Sequence, residues 1–191
     1  MNHFLLHLLR HGEPKGAGRL NGHTDARPTA AGIAACADRA RDLAIEALLS
    51  SNLSRARLAA EAIGRATGLS VTLDARWREL DFGAWDGLRP TEVDGPALSR
   101  FQDDPDRHPP PGGERWSALT GRISAAIDAL AARSTLVVTH GGAMRAAVAI
   151  LCGLDARQVW AIDLPYASLL SLRVWRMPDA PPMAQIVGLR T

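Results

Sequence analysis

The sequence predicts an α/β layered domain. Strand-like and helix-like segments alternate along all 191 residues, with no internal repeat or long low-complexity tract. The apolar, largely β-branched run Thr135-Leu136-Val137-Val138-Thr139 has the makings of a buried strand, and Gly141-Gly142 just after it opens a helical pattern. At 47% hydrophobic and 22% charged, the composition is that of an ordinary globular chain, and its length suits one domain.

Taken in order, His3–Arg10 is a short apolar run whose periodicity fits strand or helix equally. Residues 11–28 are rich in glycine and proline and read as a long functional loop. Thr29 can cap a helix over 30–43, with Ala34, Ala37 and Ala40 on one side. A second strand follows at 47–50. Leu53, Ala56, Ala60 and Ile63 then fall at helical spacing, with Gly68 as the C-terminal cap, and 71–73 forms a third strand. From 82 to 114 the pattern weakens around Pro90, Pro96, Pro105 and the run Pro109-Pro110-Pro111-Gly112-Gly113. This stretch reads as an excursion with one short helix near 97–101. A helix over 116–132, the strand 135–139 and a helix over 141–152 come next. Strands at 167–175 and 184–189 close the chain, joined by a turn through Pro178-Asp179-Ala180-Pro181-Pro182.

Twenty-two basic against 20 acidic residues leave a net charge of +2, too little for a nucleic-acid-binding face. Lys15 is the only lysine, so any anion site must be built from arginine or histidine. No apolar stretch approaches the ~18 residues of a membrane span, and residues 4–9 are too short for a signal-peptide core. Cys36 and Cys152 lack CxxC spacing and read as reduced structural cysteines, which fits a cytoplasmic protein.

Two strand-to-loop junctions carry the chemistry: Leu9-Arg10-His11-Gly12-Glu13 and Thr139-His140-Gly141-Gly142. Open α/β sheets bind ligands beyond the carboxyl ends of their strands. Each junction puts a histidine there, followed by a glycine (Gly12 or Gly141) that lets the backbone approach a ligand. The second also starts a helix, whose free N–H groups favour an anion. Together they describe a phosphate site with two imidazoles. His3, His7 and His11 are four apart. On a helix two of them could share zinc, but on a strand four residues span ~13 Å, so the strand reading removes the metal.

These residues carry a resemblance. Leu9-Arg10-His11-Gly12-Glu13 is similar to the signature of the histidine phosphatase superfamily, which includes phosphoglycerate mutases. Ser50-Ser51-Asn52-Leu53-Ser54-Arg55-Ala56 resembles the second motif of that family. Arg78-Glu79-Leu80-Asp81-Phe82-Gly83-Ala84-Trp85-Asp86-Gly87 resembles the third. Pro111-Gly112-Gly113-Glu114 and Val138-Thr139-His140-Gly141-Gly142 complete the order. The resemblance implies a three-layer sandwich with a mostly parallel central sheet flanked by helices, and a lid at about 84–114. It also implies that His11 is the nucleophile that becomes phosphorylated, that Arg10, Arg55 and His140 bind the phosphoryl oxygens, and that Glu79 protonates the leaving oxygen and later helps activate water. No metal or other cofactor is implied.

The chemistry agrees with these roles. A phosphate monoester is nearly a dianion, and arginines supply planar forks of charged donors to hold it. An imidazole attacks only when neutral, so His11 must be neutral, whereas a charged His140 would help bind the anion. Arg57 competes with Arg55 but sits closer to the packed helix face and is expected to snorkel or pair elsewhere. Asp81 and Asp86 are rivals to Glu79 that only the motif position sets aside.

The chain also departs from the pattern. The family often has Thr and Asn after the first motif, the Asn near the phosphate. Here Pro14-Lys15-Gly16-Ala17-Gly18 intervenes and no asparagine occurs until Asn21, so Lys15 or Arg19 are the candidate substitutes. Ala59 stands where a threonine is common. Phosphoglycerate mutases usually carry a larger insertion over the site. About thirty residues, roughly 84–114, are available here, and an open pocket favours hydrolysis of the phosphohistidine. Gly22-His23-Thr24-Asp25 and Pro165-Tyr166-Ala167-Ser168-Leu169 resemble segments of α-ribazole phosphatases, which adds Gly22 and His23 to the candidate substrate contacts. The expected partner is thus a small-molecule phosphate monoester, with a homodimer allowed and neither nucleic acid nor membrane expected. The competing readings are a phosphoglycerate mutase and a non-catalytic phospholigand-binding protein.

Overall fold

The computed structural model describes residues 3–177 and 180–191. Six strands form one sheet: β1 (His3–Arg10), β2 (Ala47–Ser50), β3 (Val71–Leu73), β4 (Thr135–Thr139), β5 (Leu169–Met177) and β6 (Ala180–Arg190). Their order is β3-β2-β4-β1-β5-β6. The first four run parallel, while β5 and β6 add an antiparallel margin. The sheet is therefore mostly parallel.

Alternation along the strands assigns the two faces. Leu9 and Leu48, with Leu136 and Val138, pack against Cys36, Ala40, Ala56, Ala60 and Ile63, which come from α1 (Ala30–Ala40) and α2 (Ser54–Thr67). Leu6, Leu8 and Val137 face the other way, onto Leu119, Ile123, Met144 and Ala147 from α4 (Trp116–Asp128) and α5 (Gly141–Cys152). Helices thus cover both faces, the three-layer arrangement expected. The excursion 84–114 contains α3 (Gly95–Asp103) and crosses the carboxyl end of the sheet, where Phe82 and Phe101 stack edge to face.

The ambiguous first segment is a strand, because it lies between β4 and β5 and both its faces are covered. Thr29 caps α1 by accepting from Gly32 N–H at 2.9 Å. Several boundaries and one helix phase differ from expectation, and β5 is shifted by two residues from the expected 167–175 to Leu169–Met177. α1 stops at Ala40 because the chain turns toward β2, with Leu43 N–H donating to the Ala40 carbonyl. Its buried stripe is Gly32, Cys36 and Ala40, while Ala34 is exposed. A side chain at Gly32 would run into the backbone of Gly12 and Glu13, and this contact sets the rotation of the helix. α4 ends at Asp128, where Leu130 folds into the core. β6 begins at Ala180, so Pro181 and Pro182 lie on the strand; β6 is an edge strand, where missing N–H groups are tolerated. The predicted turn at Pro178 and Asp179 lies outside the described residues. Cys36 is buried and burial pushes its thiol up to about 12, so it packs as an inert apolar group; Cys152 is half-buried.

Candidate active site

β1 and β4 are neighbours in register, with Arg10 opposite Thr139. His11 N–H donates to the Thr139 carbonyl at 2.8 Å. The next residue on each strand is a histidine, so two rings far apart in sequence meet with centroids 5.1 Å apart at an interplanar angle of 62°. Both are buried.

Hydrogen bonding fixes the protonation of each ring. His11 Nδ1 lies 2.8 Å from the Gly12 carbonyl, which can only accept, so the proton is on Nδ1 and Nε2 keeps its lone pair. Arg55 Nε–H donates to His140 Nδ1 at 3.2 Å, and a guanidinium can only donate, so His140 carries its proton on Nε2, 2.9 Å from Ser51 Oγ. Burial pushes both histidines well below the ordinary range, with Arg55 the next cause. The charged His140 favoured by the sequence is reversed: its Nδ1 already serves as an acceptor for a cation.

A cavity of about 300 Å³ opens in front of His11. Arg10, Glu79, Gly141, Gly142 and Arg145 line its inner end. Arg10 donates to the Leu164 carbonyl at 2.5 Å and lies over the Tyr166 ring at 4.3 Å. Arg145 lies over Trp160 at the same distance. The Nε–H groups of both arginines are buried and have no partner among the described residues. Two adjacent guanidinium groups with unused donors have the capacity to take an anion. Tyr166 is followed by Ala167, whose φ of 58° is left-handed and rare for a residue other than glycine.

Glu79 sits at the start of α5. Its Oε2 accepts from Gly142 N–H at 3.2 Å and its Oε1 from Leu80 N–H at 2.9 Å. A Cβ at Gly142 would fall 2.2 Å from Oε1, so glycine there is what leaves room for the carboxylate. Behind it, Arg122 donates to the carbonyls of Arg76, Arg78 and Glu79 and pairs with Glu114, holding the segment that carries Glu79.

Arg55 is wholly buried. Besides His140, it donates to the carbonyls of Thr24, Asn21 and Gly22 at 2.8, 2.8 and 2.6 Å. Burial works against its charge, and Glu79, Asp25 and Asp86 support it. Asp86 accepts from Gly22 and Thr24 N–H, and Asp25 accepts from both Ser54 N–H and its hydroxyl, capping α2. Residues 21–25 are thus pinned from three sides. Arg57 pairs with Glu61 at 2.6 Å, away from the site.

Among the sequence candidates, Arg10, His11, Glu79, Gly141 and Arg19 line the cavity. Arg55 and His140 stand directly behind His11 and line none of it. Gly12 packs on Gly32, where a Cβ would meet its carbonyl at 2.0 Å, and gives its own carbonyl to His11. Gly22 is packed under Leu80 and Phe82. His23 lies 3.5 Å from Asp81, outside the lining. Arg19 is at the rim, donating to Gly87. Sequence reasoning missed Arg145, Arg122 and Asn21. Asn21 lines the cavity although it lies well beyond the first motif. Arg145 was legible as one helical turn beyond Gly141-Gly142, but Arg122, on the middle of a helix, gave no signal.

The profile of the histidine phosphatase superfamily, branch 1, matches residues 6–177. The chain belongs to the histidine phosphatase superfamily. It is 32% identical over 177 residues to a Salmonella choleraesuis protein named a probable phosphoglycerate mutase, covering 82% of this chain and 77% of that one. The crystal structure of mycobacterial glucosyl-3-phosphoglycerate phosphatase aligns with a TM-score of 0.85 at 25% identity, over 97% of each chain. That of an Escherichia coli candidate α-ribazole-5′-P phosphatase aligns with a TM-score of 0.82 over 98% of this chain and 96% of the other; at 24% identity it bears on the fold alone. Among the described residues of this histidine phosphatase superfamily member, no helix is long and apolar enough to cross a membrane.

The two neutral histidines make a prediction about stability. Each has a folded pKa below its unfolded value of 6.5, so above pH 6.5 both states are neutral and the full stability is present. Below 6.5 the unfolded chain binds protons first, and stability falls with pH by up to about 1.4 kcal/mol per unit per histidine. Urea midpoints measured from pH 8 to pH 5 are expected to be flat above 6.5 and to drop below it. A midpoint that rises on acidification contradicts the neutral state of the two rings.

Proposed function

We propose that this chain is a metal-independent phosphatase that hydrolyses a small-molecule phosphate monoester through a phosphohistidine on His11. The observation that carries this reading is the His11 ring, its Nδ1 proton given to Gly12, beside the unpartnered Nε–H groups of Arg10 and Arg145.

In the first step the Nε2 lone pair attacks phosphorus in line with the departing oxygen. The P–N bond forms, the P–O bond to the alcohol breaks, and Glu79 gives that oxygen a proton. The charge on the phosphoryl oxygens is met by Arg10 and Arg145, with Arg55 just behind through His140. In the second step water attacks phosphorus, Glu79 accepts its proton, and the P–N bond breaks to release inorganic phosphate and return His11 to its neutral form.

Hydrolysis is preferred over transfer to a second hydroxyl because only the short excursion 84–114 covers the site. The 25% identical phosphatase supports that side. The 32% identical probable mutase favours the second reading, a phosphoglycerate mutase. For the substrate, the resemblance of Gly22-His23-Thr24-Asp25 and Pro165-Tyr166-Ala167-Ser168-Leu169 to α-ribazole phosphatases favours α-ribazole 5′-phosphate.

The test is phosphate release in excess EDTA from a panel of α-ribazole 5′-phosphate, phosphoglycerates, sugar phosphates and an aryl phosphate, compared by kcat/KM. Release undiminished by EDTA, fastest from α-ribazole 5′-phosphate, is the expected result. Interconversion of phosphoglycerate isomers without phosphate release makes the chain a mutase. Phosphate binding without turnover of any panel member makes it a binding protein.

A further inference from the structure

The cavity is chemically two-sided. Opposite the arginines and Glu79, its outer wall consists of Leu20, Phe82, Phe101, Pro105, Trp116 and Leu119. The polar side chains on that side are largely engaged or peripheral. The Arg19 guanidinium donates to the Gly87 carbonyl and lies 3.9 Å from Glu92 at the surface. The backbone carbonyl of Asn21 is taken by Arg55, and its side-chain amide is a polar group of the lining. The aromatic part of the wall is also rigid. Phe101 is 7% exposed and is gripped between Phe82, at 6.3 Å and 67°, and Trp85, at 5.7 Å and 90°. Edge-to-face pairs of this kind fix ring positions before any ligand arrives.

Resting on the phosphatase reading above, we infer that this wall is a leaving-group subsite that takes a flat apolar ring, so that the preferred substrates are phosphate monoesters of alcohols carrying an aromatic ring. A short polar acid such as a phosphoglycerate would place its carboxylate and hydroxyl against rings that offer it no hydrogen bond, and their desolvation would go uncompensated. An aromatic ring in the same place buries apolar area against a preformed surface and loses little freedom in doing so. Four of the six wall residues come from the excursion 84–114 and the start of α4, the part of the chain that shows no phosphate chemistry of its own. In this molecule, then, the excursion selects the alcohol while β1, β4 and α5 select the phosphate.

The experiment compares 3-phenylpropyl phosphate with propyl phosphate. Their alcohols leave with nearly equal difficulty, so the ratio of their kcat/KM values reads the subsite and not the chemistry. The phenylpropyl ester is expected to lead propyl phosphate by roughly tenfold or more, and to lead 3-phosphoglycerate as well. In Trp116→Ala and, separately, Phe82→Leu, the ratio is expected to fall toward one; both residues are half-buried, so these variants spare the core position of Phe101. A ratio near one in the parent, or a ratio unmoved in both variants, overturns the subsite. If no ester is turned over, the phosphatase reading fails instead. The subsite is then judged by calorimetric titration with the two corresponding phosphonates, where equal affinities overturn it and a tighter phenylpropyl phosphonate, weakened in Trp116→Ala, supports it.

Discussion

His11→Ala is expected to lower phosphate release by about four orders of magnitude or more, the largest activity loss of any single substitution in this chain. The ring is not one contributor among several. It supplies the electron pair that forms the new bond to phosphorus, and the neighbouring His140 cannot replace it. His140 Nδ1 is occupied by Arg55 Nε–H and its Nε2 proton faces Ser51. The parent, quenched during turnover, should carry a phosphoryl group on His11 that is labile in acid, stable in base and insensitive to EDTA, and the variant should carry none. The fold should survive, since the cavity left is small and the Gly12 carbonyl can take water. One side effect separates this role from a merely structural one. A buried neutral histidine penalises the folded state in acid, so His11→Ala should lessen the fall in urea midpoint below pH 6.5 and leave the share that His140 contributes. Turnover retained at the parental rate would remove the phosphohistidine from the mechanism.

The parts of this molecule legible in the sequence are those where one short segment dictates its own surroundings. Thr135–Thr139 reads as a buried strand because its side chains suit nothing else, and it is buried along its whole length. The two His-Gly junctions were readable because strand ends and helix starts have chemical signatures, and adjacency of β1 and β4 then brings the rings together. What escaped the sequence depends on segments folding across one another. Residues 11–28 give no sign that they bend back over α2 until the Arg55 bonds to Asn21, Gly22 and Thr24 are seen. For the same reason Arg55 read as a direct phosphate ligand, whereas most of its donors hold the loop and orient His140. The rotation of α1 was misjudged because Gly32 has no side chain to mark a packed face, although its contact with Gly12 decides the angle. Arg122 acts only through backbone carbonyls of a distant segment, and such acceptors leave no trace in residue identity.

Gly142→Ala is expected to cost about two to three orders of magnitude in turnover of alkyl phosphates while leaving thermal stability unchanged or slightly raised. Helix propensity alone favours the substitution, since alanine is better than glycine in a helix by roughly 1 kcal/mol and also restricts the unfolded chain. The new Cβ, however, would lie 2.2 Å from Glu79 Oε1. The carboxylate is the tip of a flexible side chain and α5 is not, so the carboxylate moves and the Gly142 N–H bond to Oε2 is broken. Gly142 is therefore a positioning residue whose effect is read through Glu79. Removing a general acid typically costs 10²–10⁴ in rate, so Glu79→Gln should fall in the same range. The double variant should be little worse than the weaker single one, because both remove one function. The nature of the leaving group gives the sharper test, read in kcat/KM, which stops at alcohol release and leaves out the later attack by water. An alkoxide needs a proton to depart, but p-nitrophenolate does not, so both variants should lose far less kcat/KM on p-nitrophenyl phosphate than on an alkyl phosphate. Equal losses on the two esters would mean that Glu79 does not protonate the leaving oxygen, and that the glycine shapes the site in some way other than by leaving room for an acid.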